Sequence, residues 1–268
     1  MTGKSLRLRR LIHPGSGRVF AVPMDHGLST WPVEGLENMA AAVDRVVQPG
    51  VTAVVVHKGL AAQAAVALAR APGVGLIVHL SGATSLGPDP RDKRLVGSVR
   101  HALSLGADAV SVQVNLGVRE ESAMLERLGR VAESCDRWGV PLLAMMYVQA
   151  AEQRGWEPVA HAARVAAELG ADIVKTVYTG APQTFRHVVD SVAVPVVIGG
   201  GPAMDTDAEL LQIVEGALEG GGAGICIGRN LFNRPPHDPM MATLAGLLHD
   251  GERSLAVAGT ASRKAGMR

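Results

Sequence analysis

Short apolar runs rich in Val and Ile recur along the chain, each followed by an Ala-, Leu-, Arg- and Glu-rich segment of helical length. The runs predict strands at Val19–Val22, Ala53–Val56, Gly75–Leu80, Ala109–Val114, Pro141–Met146, Ile173–Val177, Pro195–Ile198 and Gly224–Ile227. The intervening periodicity predicts helices near Leu36–Val47, Ala61–Arg70, Lys93–Leu105, Glu120–Trp138, Pro158–Leu169, Gln183–Val189, Asp207–Glu219 and Pro239–Leu248. Strands that read as unbroken apolar runs belong to a parallel sheet covered on both faces. Eight such units in a chain of 268 residues predict an α/β fold, a closed (β/α)8 TIM barrel. A doubly wound open sheet is the runner-up, but eight strands without a topological break favour closure.

Several helices should end on a glycine in the left-handed position after the last turn: Gly106, Gly139 and Gly170. Two of these sit in a repeated Leu-Gly-Ala-Asp unit, at 105–108 and 169–172, which echoes the βα repeat rather than marking a second domain. No linker divides the chain, so residues 1–268 are expected to form one domain with its core at about 18–250 and peripheral tails.

Composition narrows the function. Apolar residues make up 47% of the chain and the formal net charge is +1, with no long run of one sign, which argues against a nucleic-acid or membrane-surface protein. The basic cluster Lys4, Arg7, Arg9 and Arg10 reads as a solvated first helix or tail. Cys135 and Cys226 have no C-x-x-C spacing and read as small core residues. No signal-peptide pattern opens the chain and no apolar run reaches membrane-spanning length, so a cytoplasmic location is the default expectation.

In a barrel of this kind the chemistry lies at the C-terminal ends of the strands. Those ends carry Met24-Asp25-His26-Gly27, His57-Lys58-Gly59, His79, Tyr147, Lys175 with Tyr178, Gly199-Gly200-Gly201-Pro202 and Gly228-Arg229-Asn230. The chain has five lysines against twenty-one arginines, yet a lysine, Lys175, ends an apolar strand. A neutral amine can attack a ketone and form a Schiff base, which a permanently charged guanidinium cannot do. The bland alternative is a lysine that snorkels to solvent or joins a structural ion pair. The glycine loops after the last two strands, with Arg229, suit a phosphate, since glycine lets backbone N–H groups approach an anion closely. His26, His57 and His79 end three successive strands and raise a competing zinc-enzyme reading, although no H-x-H or H-E-x-x-H pattern supports a metal site. A third reading is a silent phosphate-binding barrel.

Five motifs in register, over about residues 18–235, resemble the archaeal-type class I fructose-bisphosphate aldolases and the related 2-amino-3,7-dideoxy-heptulosonate synthases. They are Met24-Asp25-His26-Gly27, His57-Lys58-Gly59, Val174-Lys175-Thr176 with Tyr178-Thr179-Gly180, Ile198-Gly199-Gly200-Gly201-Pro202, and Gly228-Arg229-Asn230-Leu231-Phe232. The group includes a bacterial synthase that joins aspartate semialdehyde to dihydroxyacetone phosphate. The resemblance implies Lys175 as the Schiff-base lysine, Asp25 as a proton shuttle and Tyr147 as the acid/base at the reacting carbon. It places the donor phosphate at Gly200, Gly201, Gly228 and Arg229; His26, Lys58 and Tyr178 complete the expected substrate contacts. The run Met145-Met146-Tyr147-Val148-Gln149 departs from the group's pattern of Pro or Trp near this tyrosine, and that region shapes the acceptor side.

The expected function is therefore a cofactor-free carbon–carbon lyase or related transferase acting on a phosphorylated ketone and an aldehyde. Aspartate 4-semialdehyde is the favoured acceptor. A fructose-1,6-bisphosphate aldolase is the alternative, and it needs a second anion site for which only Arg91 and Arg119 are at hand after strands three and four. Lys175 should be neutral at rest if cationic neighbours crowd it, and Lys58 is read either as such a neighbour or as a contact to an acidic substrate group. The resemblance also implies a homo-oligomer, with a decamer as one candidate, and no nucleic-acid or membrane partner.

Overall fold

The structure, a computed structural model, describes residues 2–149, 155–236 and 238–250. Eight parallel strands close into a barrel: β1 (Val19–Pro23), β2 (Ala53–His57), β3 (Gly75–His79), β4 (Ala109–Leu116), β5 (Leu142–Val148), β6 (Ile173–Thr176), β7 (Val196–Ile198) and β8 (Gly224–Cys226). Their order around the barrel is β1-β8-β7-β6-β5-β4-β3-β2, so the chain winds once round and β8 pairs with β1 through Ala21 opposite Cys226. The predicted TIM barrel is the observed fold. No described helix is long and apolar enough to cross a membrane.

Period-two alternation sorts the strand residues into two layers. One set, including Ala21, Val55, Leu143, Ile173, Val197 and Cys226, fills the barrel interior, while its alternates such as Val22, Val54, Ala144, Val174, Val196 and Ile225 pack outward against the helices. Both faces of every strand are buried, which is why the strands read as continuous apolar runs rather than as alternating ones.

The helices are α1 (Thr2–Arg10), α2 (His26–Ser29), α3 (Met39–Val46), α4 (Ala61–Leu68), α5 (Val99–Ser104), α6 (Glu121–Trp138), α7 (Glu157–Glu168), α8 (Pro182–Asp190), α9 (Asp207–Glu219) and α10 (Pro239–His249). Gly106, Gly139 and Gly170 all take positive φ just past helix ends, as expected from their positions.

Two helices start later than the sequence suggests, and each has a cap that sets the start. Asn38 Oδ1 accepts from the Ala41 N–H 3.0 Å away and begins α3 at Met39. Ser98 Oγ accepts from the His101 N–H and begins α5 at Val99. The segment expected as the first turn of that helix instead forms a short ladder, Arg94–Leu95 pairing antiparallel with Ser81–Gly82. Lys93 is thereby placed on the C-terminal side of the barrel rather than on a helix.

The basic N-terminal segment is a helix, but it is docked rather than simply solvated. Lys4 Nζ lies 2.6 Å from Asp136 and 3.0 Å from Asp172, Arg7 donates to the Gly139 carbonyl, and Arg10 pairs with Asp108 at 2.7 Å. Leu11, fully buried, then plugs the N-terminal end of the barrel. Asp108 and Asp172 are the aspartates of the repeated Leu-Gly-Ala-Asp unit. Each also accepts a backbone N–H of the neighbouring strand, from Leu76 at 3.1 Å and Leu142 at 2.8 Å. The repeat is a device for fixing the bottom of the barrel. The expected C-terminal tail falls at 251–268, outside the described residues.

Candidate active site

Strand parity places the candidate groups in one cavity. Ile173 belongs to the inner layer, so Lys175, two residues on, points into the barrel mouth; it pairs in register with Met145, and Tyr147 follows two residues later on the same inward face. Lys175 is only 6% exposed. The Tyr147 hydroxyl and the Cys226 thiol lie against its amine. Asp25, just past β1, completes the floor of a cavity of about 370 Å³ that also takes in His26, His57, His79, Lys93, Gln113, Gly199–Gly201, Gly228 and Arg229.

Burial works against the charge of both central groups, and their neighbours in the cavity, each other included, overcome it. Asp25 is held down to about 2 by His79, His26, Lys175 and His57, in spite of burial. Burial also holds all three of these histidines below their ordinary value, His79 at about 4, so at neutral pH the Lys175 ammonium is the standing partner of Asp25. Burial pushes Lys175 toward its free amine, but Cys226, Tyr147 and Asp25 outweigh that, and the net direction is upward. The sequence led to the opposite expectation, a lysine lowered by cations. The difference lies in the neighbours: Lys58 is exposed and donates to the Val96 carbonyl, outside the cavity, and an acid sits beside Lys175 instead.

The glycine loops after β7 and β8 form one wall. Among the described residues, the backbone N–H groups of Gly200, Gly201, Gly228 and Arg229 have no backbone acceptor, and the Arg229 guanidinium has no ion-pair partner. Two of the glycines are required by close approach. A Cβ at Gly228 would meet the Pro23 carbonyl and lie 2.8 Å from the His26 ring, and one at Gly200 would lie 2.7 Å from Ile227 Cγ2. Asn230 ties the two loops together: its Nδ2 donates to the carbonyls of Gly200 (3.2 Å) and Pro202 (3.1 Å), and its Oδ1 accepts from Met204 N–H at 2.8 Å. The pair of loops is therefore a cradle of N–H donors of the kind that suits an anion.

The opposite wall holds groups that the sequence reading did not assign. His79 Nδ1 lies 2.7 Å from Ser111 Oγ, and its Nε2 lies 3.1 Å from Ser81 Oγ. Ser81 Oγ also accepts from Gln113 N–H at 2.9 Å. Both nitrogens of that ring are thus committed to hydroxyls. Among the described residues no group of three His, Cys, Asp or Glu side chains is arranged to hold a metal ion, so the histidine rim does not form the ligand set that the zinc reading requires. His26 and His57 line the cavity, each with a buried Nδ1 that lacks a partner among the described residues. Lys93 is the cation on this wall. It went unassigned because its place in the sequence looks like a helix start, and only the Ser98 cap, read as such, signals otherwise.

One further expectation is corrected by placement. Tyr178 lies outside the cavity; its ring packs edge-on against Phe185 with centroids 5.5 Å apart, its hydroxyl sits over Gly216, and it lines a neighbouring groove with Pro182, Glu209 and Glu219. Strand β6 ends at Thr176, one residue sooner than expected, so Val177 and Tyr178 already belong to the turn that leaves the mouth. Arg91 is clamped by Asp89, with Nε–Oδ1 and Nη2–Oδ2 both 2.9 Å, and neither it nor the exposed Arg119 reaches the cavity.

Comparison with known proteins agrees with this geometry. A family model described as DeoC/LacD family aldolase matches residues 19–234. The chain is 46% identical over 233 residues to 2-amino-3,7-dideoxy-D-threo-hept-6-ulosonate synthase 1 of Archaeoglobus fulgidus, covering 87% of this chain and 86% of the relative. It is 42% identical over 250 residues to 2-amino-4,5-dihydroxy-6-oxo-7-(phosphonooxy)heptanoate synthase of Streptomyces griseus, covering 92% and 90%. Among solved structures, it superposes with a TM-score of 0.79 and 31% identity on an archaeal fructose-1,6-bisphosphate aldolase whose catalytic lysine is covalently bound to the carbinolamine intermediate, covering 92% of this chain and 99% of that one.

Proposed function

The chain belongs to the DeoC/LacD family of aldolases, and from that premise we propose that it joins dihydroxyacetone phosphate to L-aspartate 4-semialdehyde through a Schiff base on Lys175. The names of both relatives describe seven-carbon 2-amino ketones. One of them carries a 7-phosphonooxy group, a 6-oxo group and hydroxyls at carbons 4 and 5. An aldol bond between C3 of dihydroxyacetone phosphate and the aldehyde carbon of aspartate semialdehyde gives that arrangement: three carbons with the phosphate and ketone, four with the amine and carboxylate, and a new hydroxyl at the former aldehyde. The observation that carries the reading is the buried Lys175 amine set between Asp25 and Tyr147, facing the anion cradle of the glycine loops.

In this reading the donor phosphate rests on the N–H groups of Gly200, Gly201 and Gly228 and on Arg229, which brings the ketone over Lys175. The amine loses its proton and attacks, forming a carbinolamine. Loss of water, with Asp25 passing the protons, leaves an iminium that acidifies the adjacent carbon. Tyr147 takes the proton from that carbon, and the enamine attacks the aldehyde. Tyr147 then protonates the new alkoxide, and water hydrolyses the iminium to release product and restore the amine. The lysine supplies the electron sink, so the chemistry calls for no added cofactor. His26 forms the rim between Asp25 and the cradle. The family resemblance also favours a homo-oligomer, which light scattering on the purified protein would test.

The deciding experiment is borohydride reduction in the presence of dihydroxyacetone phosphate, followed by mass analysis, and a separate incubation with aspartate semialdehyde. The expected results are a donor adduct on Lys175 and the seven-carbon phosphorylated product. An adduct absent from Lys175 would remove the covalent route.

A further inference from the structure

We infer that Lys93 anchors the carboxylate of the acceptor aldehyde and thereby selects a carboxylate-bearing acceptor. The inference rests on the proposed function and deepens it. Lys93 is 8% exposed, lines the same cavity as Lys175, and has no ion-pair partner and no acceptor for its amine among the described residues. With most of the side chain buried and its amine unpaired, an incoming anion meets a cation already held in place. Burial draws Lys93 below the usual lysine range, with Asp25 pulling it back.

The chain invests in holding this residue in place. The Arg94–Leu95 ladder fixes one flank, Val96 N–H donates to the Leu80 carbonyl at 2.8 Å, and Arg127 Nη1 donates to the Lys93 carbonyl at 2.8 Å. These bonds hold the backbone around Lys93 and leave its side chain lining the cavity.

Position on the barrel gives the amine its role. Around the closed ring β1-β8-β7-β6-β5-β4-β3-β2, β3 stands opposite β7. Lys93, carried by the loop after β3, therefore faces the glycine cradle across the mouth, with Lys175 on β6 and Tyr147 on β5 along one side between them. A donor phosphate in the cradle and an acceptor anion at Lys93 put the two reacting carbons over the catalytic pair. Charge matching favours a carboxylate there. The cradle offers several N–H groups and a guanidinium, which suits a phosphate dianion. Among the described residues the opposite wall offers a single ammonium, since Ser81 is committed to His79 and Gln113, and the Gln113 amide donates to Asn115 at 3.0 Å.

The test compares wild type, Lys93→Met and Lys93→Arg with dihydroxyacetone phosphate and three acceptors: L-aspartate 4-semialdehyde, D-glyceraldehyde 3-phosphate and propanal. Lys93→Met should raise KM for aspartate semialdehyde tenfold or more, leave kcat/KM for propanal within twofold, and still yield the borohydride adduct of the donor at Lys175. Lys93→Arg should recover part of the lost affinity. An unchanged KM for aspartate semialdehyde, a parallel loss with propanal, or a loss confined to glyceraldehyde 3-phosphate would each overturn the assignment. A wild-type protein that forms no donor adduct would instead overturn the Schiff-base reading, so the two failures are distinguishable.

Discussion

The Lys175 side chain occupies space that only a glycine at position 199 leaves open: a Cβ at Gly199 would sit 3.0 Å from Lys175 Cε and 3.7 Å from the Tyr147 hydroxyl. The first glycine of the loop thus makes room for the amine. Gly199→Ala should keep the barrel folded, because the intrusion can be relieved by rotating a flexible lysine. It should slow adduct formation at Lys175 by at least tenfold, since a displacement of a few tenths of an ångström spoils the line of attack. Circular dichroism and borohydride trapping on the same sample separate the two effects; trapping at the wild-type rate would show that the amine has room to spare.

Asp25 and Lys175 support each other's charge, and this fixes the pH dependence of the first step. Lys175 lies above its ordinary range, so at neutral pH the resting state is the ammonium and the reactive free amine is a minor species. Adduct formation with dihydroxyacetone phosphate should rise about tenfold per pH unit through neutrality, as the free-amine fraction does well below a pKa. In Asp25→Asn the carboxylate that holds the proton is gone. Its rise should move to lower pH while the maximal rate falls, because the proton shuttle is lost with it. A wild-type profile that is flat between pH 6 and 8 would show an amine already free.

Asn230 is predicted to act on donor binding through the loops it joins. Asn230→Ala removes three hydrogen bonds from a buried side chain and leaves the carbonyls of Gly200 and Pro202 without this donor. A loss of about 1–3 kcal/mol in stability is expected, measured by urea unfolding. KM for dihydroxyacetone phosphate should rise several-fold, with KM for the aldehyde little changed. Equal effects on both substrates would mean that Asn230 only stabilises the barrel.

The eight strands were legible because both of their faces are buried, which turns each into an apolar run that nothing else in the chain imitates. Lys175, Tyr147 and Asp25 were legible for the same reason: a polar residue at the end of such a run stands out. What the sequence concealed was register between loops. Lys93 and Lys58 both precede segments of helical composition, and only the pairing of Arg94–Leu95 with Ser81–Gly82 decides that the first faces the cavity. Tyr178 was misplaced because β6 ends one residue sooner than expected, enough to carry a side chain out of the mouth. The rise of the Lys175 pKa could not be read from the chain because it depends on Cys226, Tyr147 and Asp25, which lie far apart in sequence and which barrel closure brings beside it.

His79 should leave a signature in acid stability. Its ring is 4% exposed, bonded on both nitrogens to Ser111 and Ser81, and held down to about 4 by burial. The folded pKa lies below the unfolded value of about 6.5, so the unfolded chain takes up a proton first. The stability this residue contributes is then complete above pH 6.5 and is lost as pH falls from 6.5 towards 4, by roughly 3 kcal/mol over the window. Asp25, held at about 2, acts with the same sign in a lower window, between 3.8 and 2. Burial lowers His26 and His57 as well, so the comparison is between proteins rather than between pH values alone. Urea unfolding of wild type and His79→Gln at pH 7 and pH 4 should show the variant less stable at pH 7 and losing less on acidification. An identical acid loss in both would mean that His79 takes up its proton as readily when folded as when unfolded.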